Sequence, residues 1–336
     1  MDWQRRHGRK GLPWQGTRDP YRVWLSEVML QQTQVSAVIP YYERFLERFP
    51  TVGALSKADE NDVLQLWSGL GYYARGRNLH AAARLIARTG FPKTSREIAG
   101  LPGVGRSTAA AIAAFAFGER AAILDGNVKR VLARHAGIKG FPGDGKVEDK
   151  LWKLADSLLP KKSIEAYTQA LMDLGATLCT KSKPRCGDCP VRKTCVALKK
   201  GLTEKLPSPR PKKTVPSKTT TWLVLRHAGQ ILLEKRPSPG IWGGLWSFPE
   251  INGEDPASYC RTKLGCDVES MKRLDDIEHG FTHYHLTVHP LLCEVTPTLR
   301  AEAPGRLWLD VEDASTAATP APVRKLLQTL SSQIGA

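Results

Sequence analysis

From Leu206 to Thr221 the chain reads LPSPRPKKTVPSKTTT, a stretch crowded with Pro, Lys, Ser and Thr and lacking any apolar period. Such a segment has little to bury and reads as an extended linker. The two sides of it are patterned differently. Over residues 20–200 apolar side chains recur at a spacing near 3.6, with breaks at FPTVG, LPGVG and GFPGDG, which predicts helix after helix. Beyond the linker, TWLVLRH, QILLEKR, LWSFPE and HLTVHPLLCEV are short β-prone runs between turns, and PAPVRKLLQTL predicts a closing helix. The expected organisation is a mainly α domain over 1–205, a linker over 206–221 and an α+β domain over 222–336. A chain of 336 residues is long enough to give each domain its own core.

Charge divides at the same place. Residues 1–219 hold 38 basic and 19 acidic side chains, whereas residues 220–336 hold 11 and 14. Only the first part is basic, which points to a polyanion partner there. There is no run of about eighteen apolar residues, and MDWQRRHGRKGLPW carries charges where a signal peptide needs apolar side chains. A soluble, cytoplasmic, nucleoid-associated protein with no membrane partner is expected.

Four of the seven cysteines fall in one loop, CTKSKPRCGDCPVRKTC, as Cys179-x6-Cys186-x2-Cys189-x5-Cys195. Thiols in a reducing compartment do not form a disulfide scaffold, so this clustering points to metal ligation. Four local thiolates suit a cubane iron–sulfur cluster, and zinc is the structural alternative. The loop also carries Lys181, Lys183, Arg185, Arg192 and Lys193, which suit contact with phosphates. Cys260, Cys266 and Cys293 read as ordinary thiols.

Three upstream stretches carry possible chemistry. LPGVGRSTAAAIAAFAFG places Gly103 and Gly105 in a tight turn before an Ala-rich helix, where backbone N–H groups can meet a phosphate. In ILDGNVKRVLARH, Asp125 stands where a helix N-cap belongs, and capping is its plainest role. In YRVWLSEVMLQQTQV, Tyr21, Trp24, Leu25, Val28 and Met29 form an apolar helical stripe, with Glu27, Gln31 and Gln34 on the other face. A polar helix face is ordinarily just solvated, but glutamines and aromatics together suit contact with bases.

Taken together, LPGVG, Asp125 and the four-cysteine loop resemble the helix-hairpin-helix DNA glycosylases of the endonuclease III superfamily. SEVMLQQTQV, GLGYYARGRNLH, LDGNVKRVLARH and FTHYHL narrow the resemblance to its bacterial adenine-specific branch, over nearly the whole chain. The resemblance implies a helix-hairpin-helix glycosylase domain, with the hairpin at about 98–118, one 4Fe–4S cluster on residues 179–195, and a Nudix-like second domain. It implies a monomer acting on double-stranded DNA that contains adenine opposite 8-oxoguanine or guanine. Glu27 would be the general acid and Asp125 the stabiliser of the oxocarbenium ion. Trp14 and Gln169 would line the adenine pocket, Gln32 and Tyr72 would fill the vacated stack, and Thr282 and His283 would read the lesion. Lys129 joins Gly103 and Gly105 as an implied phosphate contact. Endonuclease III-like lyases carry a lysine in GVGRKTA, where this chain has Ser107, and a hydroxyl cannot form a Schiff base. A monofunctional glycosylase is therefore expected, with a lyase acting on oxidised pyrimidines as the alternative. EINGEDPASYCRTKLG lacks the Glu-rich helix of Nudix hydrolases, so pyrophosphate hydrolysis is not expected.

Overall fold

The computed structural model describes residues 2–211, 215–238, 240–281, 283–298, 301 and 303–334. Packing divides the chain into two units, Met1–Lys57 with Asn78–Lys212, and Ala58–Arg77 with Lys213–Ala336.

The first unit is helical. Helix Pro20–Met29 starts where Asp19 accepts a hydrogen bond from the Tyr21 N–H, and Pro20 occupies the first turn, where its missing N–H costs nothing. The predicted stripe of Tyr21, Trp24, Leu25, Val28 and Met29 is buried, and so are Val23 and Ser26. The polar face expected to unite Glu27 with Gln31 and Gln34 does not form. The helix ends at Met29, Gln32 turns the chain with a φ of 56°, and Gln34 precedes the next helix, Val35–Arg48. Gln31 instead reaches the hairpin, donating to the Gly103 carbonyl and the Thr108 hydroxyl, both at 3.3 Å.

The hairpin joins helix Ser95–Ile98, held by a Thr94/Glu97 capping box, to helix Arg106–Ile112, which continues as a π turn over Ala113–Phe117. Gly103 is required twice over. Its φ is +75°, and a Cβ there would lie 2.7 Å from the Asn78 Cβ. Ala110, Ala111, Ile123, Leu124, Val128 and Leu132 share one core, which fixes the hairpin helix against helix Gly126–Ala136. Asp125 caps that second helix, accepting from the Val128 N–H at 2.7 Å.

The second unit is built on a sheet of β1 (Ser217–His227), β2 (Gln230–Lys235), β3 (Trp246–Ser247), β4 (Glu250–Ile251), β5 (Cys266–Arg273), β6 (Ile277–Gly280), β7 (His285–Pro297) and β8 (Arg306–Asp310). Its main order is β3-β2-β1-β7-β5, and β1 runs parallel to β7. The unbroken apolar run WLVL in β1 follows from this central place. Trp222 and Val224 face one core with Val323, Leu327 and Leu330 of helix Ala321–Ile334, while Leu223 and Leu225 face another with Cys260 and Leu264. Strands β5 and β6 carry no apolar run that would announce them, since most of their side chains are partly or fully exposed, and β8 holds only the short run Leu307-Trp308-Leu309.

Two boundaries differ from the linear reading. Ser217–Thr221, read as linker, are the start of β1, paired with His285–His289 through backbone hydrogen bonds that their polar side chains do not advertise. Residues 58–77, read as part of the helical domain, pack in the second unit. There Gln65 donates to the Thr316 carbonyl at 3.0 Å, Ser68 to the Thr319 carbonyl at 3.2 Å and Lys235 to Asn61 at 2.8 Å. A chain truncated after residue 211 should therefore melt more than about 5 °C below the full chain, because these groups lose their partners. Thermal unfolding by circular dichroism tests this, and an unchanged midpoint for the remaining residues would contradict it.

Candidate active site

Glu27 sits where two clefts of the first unit meet. One, of about 610 Å³, is lined by Trp14, Arg18, Phe115, Gln169 and Met172; the other, of about 680 Å³, by Gln32, Gln34, Ser107, Asp125 and Arg130. Glu27 and Arg9 line both. Burial pushes the Glu27 carboxyl up to about 8, the charge of Asp125 adds to this, and Arg9 opposes it. Burial also raises Asp125, but the N–H groups of Val128 and Asn127 and the charges of Arg130 and Arg9 pull it back. Glu27 thus keeps its proton near neutrality, while Asp125, though raised overall, has N–H groups and guanidinium charges that favour its carboxylate. That split is what acid and electrostatic roles on a single reacting centre require.

Trp14 and Gln169, expected at a base pocket, line the first cleft together. Trp14 lies edge-on to Tyr42, with ring centroids 5.3 Å apart. Gln169 donates to Asp173 at 2.9 Å, and Asp173, fully buried, also accepts from Arg9 Nε at 2.7 Å. Arg9 and Asp173 escaped the sequence reading. Arg9 is one cation among several in RRHGRKG, and only its placement between the clefts distinguishes it.

At the second cleft, Gln32 is exposed with the strained φ noted above, a backbone state that non-glycine residues hold at a cost and that clusters at functional sites. Ser107 accepts a hydrogen bond from the Leu124 N–H at 2.8 Å and so braces the residue that precedes Asp125. Gly103 and Gly105 are exposed, and nothing lies within 4 Å of where a Gly105 Cβ would be, which leaves this backbone open to approach. Lys129 instead pairs with Glu148 at 2.8 Å, so its amine is engaged within the fold.

All four loop cysteines line one small cavity with Val131, Arg134, His135 and Leu178. Among the described residues no three His, Cys, Asp or Glu side chains gather closely enough for a single ion. The donor set nevertheless asks for positive charge. Burial first, and neighbouring thiolates after it, push the Cys186 and Cys189 thiols up, while Arg134 Nη1 stands 3.3 Å from the Cys179 sulfur. The helix that Asp125 caps fastens this loop. Arg134 donates to the carbonyls of Thr180, Lys181 and Leu206, and Arg130 to those of Gly175 and Cys179.

In the second unit Tyr72 and His283 line a cleft of about 560 Å³ with Trp242, His279 and Phe281. Thr282, expected beside His283, lies outside the described residues. Trp242 and His279 were not anticipated. Trp242 holds a φ of 55°, with its ring centroid 5.3 Å from Phe281 and 5.5 Å from His279. The helical segment after Pro249, Pro256–Tyr259 continued by Cys260–Leu264, carries Arg261 and Lys263 and no carboxylate.

Comparison with known proteins agrees with both units. Residues 25–157 match the HhH-GPD superfamily of base excision DNA repair proteins, and residues 220–329 match the NUDIX domain. Adenine DNA glycosylase of Buchnera aphidicola subsp. Acyrthosiphon pisum is 35% identical over 99% of this chain and 97% of its own. The human adenine DNA glycosylase is 33% identical over 97% of this chain and 72% of its own. Among solved structures, a thermostable thymine-DNA glycosylase matches with 30% identity and a TM-score of 0.52, covering 58% of this chain and 91% of that one. A non-covalent endonuclease III–DNA complex shares the fold at 23% identity and a TM-score of 0.51, over 60% of this chain and 94% of that one.

Proposed function

The chain belongs to the adenine DNA glycosylase family, and from that premise we propose that it excises adenine mispaired with 8-oxoguanine or guanine from duplex DNA. It hydrolyses the N-glycosidic bond and leaves strand cleavage to another enzyme. The observation that carries this reading is the pair of carboxyls at the clefts, Glu27 pushed up to about 8 by burial and Asp125 raised by burial against the opposing pull of two N–H groups and two arginines.

The target bond is inaccessible inside a duplex, so the adenine must turn out of the stack, at a cost of a few kcal/mol that a mispair reduces. The flipped base enters the cleft of Trp14 and Gln169, while Gln32 and Tyr72 occupy the vacated stack. Glu27 donates its proton to adenine N7, so the base departs neutral rather than as an anion. Asp125 faces the sugar from the second cleft, and its carboxylate stabilises the oxocarbenium ion that the departing base leaves behind. Glu27, now ionised, accepts a proton from the water that attacks the sugar carbon. Ser107 has no amine, and that of Lys129 is paired with Glu148, which disfavours the lyase alternative. Thr282 and His283 are the proposed lesion contacts.

Cys179, Cys186, Cys189 and Cys195 would hold one 4Fe–4S cluster, which when bound supplies the cation that four crowded thiolates need and cross-links their loop. A ring of thiols around a cavity suits such a cluster better than one zinc ion. Iron and acid-labile sulfide in equal amounts are expected in the purified protein, and zinc without sulfide would refute this assignment.

The loop then meets DNA phosphates. Arg185 and Arg192 are partly used within the fold, donating to the carbonyls of Thr177 and Gly187, so Lys181, Lys183 and Lys193, all exposed, are the better phosphate contacts. Each Lys→Ala change should reduce the slope of log affinity against log salt by about 1. Salt titrations of binding to a noncleavable duplex measure that slope; an unchanged slope in all three variants would remove the loop from the interface.

The deciding experiment is incubation with an adenine:8-oxoguanine duplex followed by alkali. A break at the adenine is expected, and its absence would refute glycosylase activity on this substrate.

A further inference from the structure

The turn before helix Ala74–Thr89 holds three positive φ angles in four residues: Gly69 at 103°, Gly71 at 73° and Tyr72 at 48°. Glycine adopts such angles freely, but for tyrosine the conformation costs on the order of 1–3 kcal/mol and persists only where its surroundings impose it. Arg75 imposes it here. Its Nη2 donates to the carbonyls of Leu70 and Gly71, both at 3.1 Å, and its backbone N–H donates to the Tyr72 carbonyl at 2.8 Å. Trp67 Nε1 adds a hydrogen bond to the Gly71 carbonyl at 3.3 Å. The Arg75 guanidinium also lies 5.5 Å from the centroid of the Trp67 ring and 5.6 Å from that of Tyr72.

The exposures are opposed: Arg75 is 8% exposed and Tyr72 49%. A cation is buried beneath an aromatic ring that is left in solvent. Packing alone does not account for this, because a methionine would fill the space without a charge to desolvate. A planar guanidinium can donate in its plane to two carbonyls while its faces meet rings, and an ammonium cannot do both.

We propose that Arg75 is a positioning residue that sets Tyr72 in the strained, outward conformation in which it enters the base stack, so that the wedge is formed before DNA arrives. This rests on the reading of Tyr72 as the side chain that fills the vacated stack. Preorganisation of this kind raises the rate because a misplacement of about 1 Å can cost on the order of a hundredfold.

The test uses the full-length, cluster-loaded protein and a duplex with adenine opposite 8-oxoguanine, carrying 2-aminopurine beside the target as a reporter of unstacking. Tyr72→Ala and Arg75→Met should each reduce the unstacking signal and lower the single-turnover rate about ten- to a hundredfold. Because Arg75 acts through Tyr72, the double variant should be no slower than Tyr72→Ala alone. Arg75→Lys, which keeps length and charge and protects against a folding failure of the methionine variant, should still be slowed at an unchanged melting temperature. Additive losses in the double variant, or full activity in Arg75→Lys, would overturn the inference. A fast Arg75→Met beside a slow Tyr72→Ala would overturn it alone, whereas a fully active Tyr72→Ala would remove the wedge reading on which it stands.

Discussion

Glu27→Gln is expected to lower the single-turnover rate of adenine release by about 10²–10⁴, the range that a general acid supplies, while mispair affinity stays within about threefold. Glutamine keeps the shape and fills the junction of the two clefts but has no proton to give. Loss of binding along with rate would instead mark Glu27 as structural. The pH dependence follows from the same carboxyl. As the proposed acid, Glu27 has to be protonated, and burial holds it up to about 8, so the rate should fall as pH rises through about 8. Stability moves with it. The folded carboxyl titrates near 8 against 4.5 in its ordinary state, so the folded chain binds more protons between those values and loses stability as pH rises across that window. Glu27→Gln removes the buried charge that forms at high pH. Its melting temperature should exceed that of the parent above pH 8 and converge on it below pH 4.5. A melting difference that does not change with pH would mean the carboxyl is not desolvated.

The second large effect is expected at Asp125, where capping and catalysis can be separated. Asparagine is as good an N-cap as aspartate, so Asp125→Asn should keep the hydrogen bond to the Val128 N–H and, with it, the helix from which Arg130 and Arg134 fasten the cysteine loop. Only the charge is lost. The single-turnover rate should nevertheless fall by about 10²–10³, the usual cost of removing one preorganised stabiliser of transition-state charge. Asp125→Ala should lose the same rate and, in addition, about 1 kcal/mol of stability from the missing cap. If Asp125→Asn kept a rate within about threefold of the parent, capping would be the whole of its role.

Much of this site was legible in the linear text, for reasons that are local. The helix Pro20–Met29 announces itself through Asp19-Pro20 and an apolar stripe at helical spacing, and Asp125 stands at the start of an equally periodic segment. The cysteines are readable because all four lie within seventeen residues. The misreadings are as physical. Gln31 and Gln34 continue the period of helix Pro20–Met29 on paper, but the left-handed turn at Gln32 follows its end, and no side-chain pattern marks such a turn at a glutamine. Arg9 and Asp173 are 164 positions apart in sequence, so their pairing had no local signal. Residues 58–77 carry ordinary helical periodicity, which says that a helix must bury a face but not against which unit.

Periodicity, turn chemistry and cysteine spacing act over short stretches of chain, so the two-part organisation, the helical and strand-rich characters of the parts, and the inventory of two carboxyls and four thiols could all be read without the fold. Only the folded chain makes Glu27 hold its proton up to about 8, since desolvation is a property of the cleft that closes around it. Tertiary structure also decided that Ser107 braces the residue before Asp125, that Arg130 and Arg134 fasten the cysteine loop, and that Arg75 sits beneath Tyr72. Each of these depends on burial and on hydrogen bonds whose partners come together only when the chain has folded.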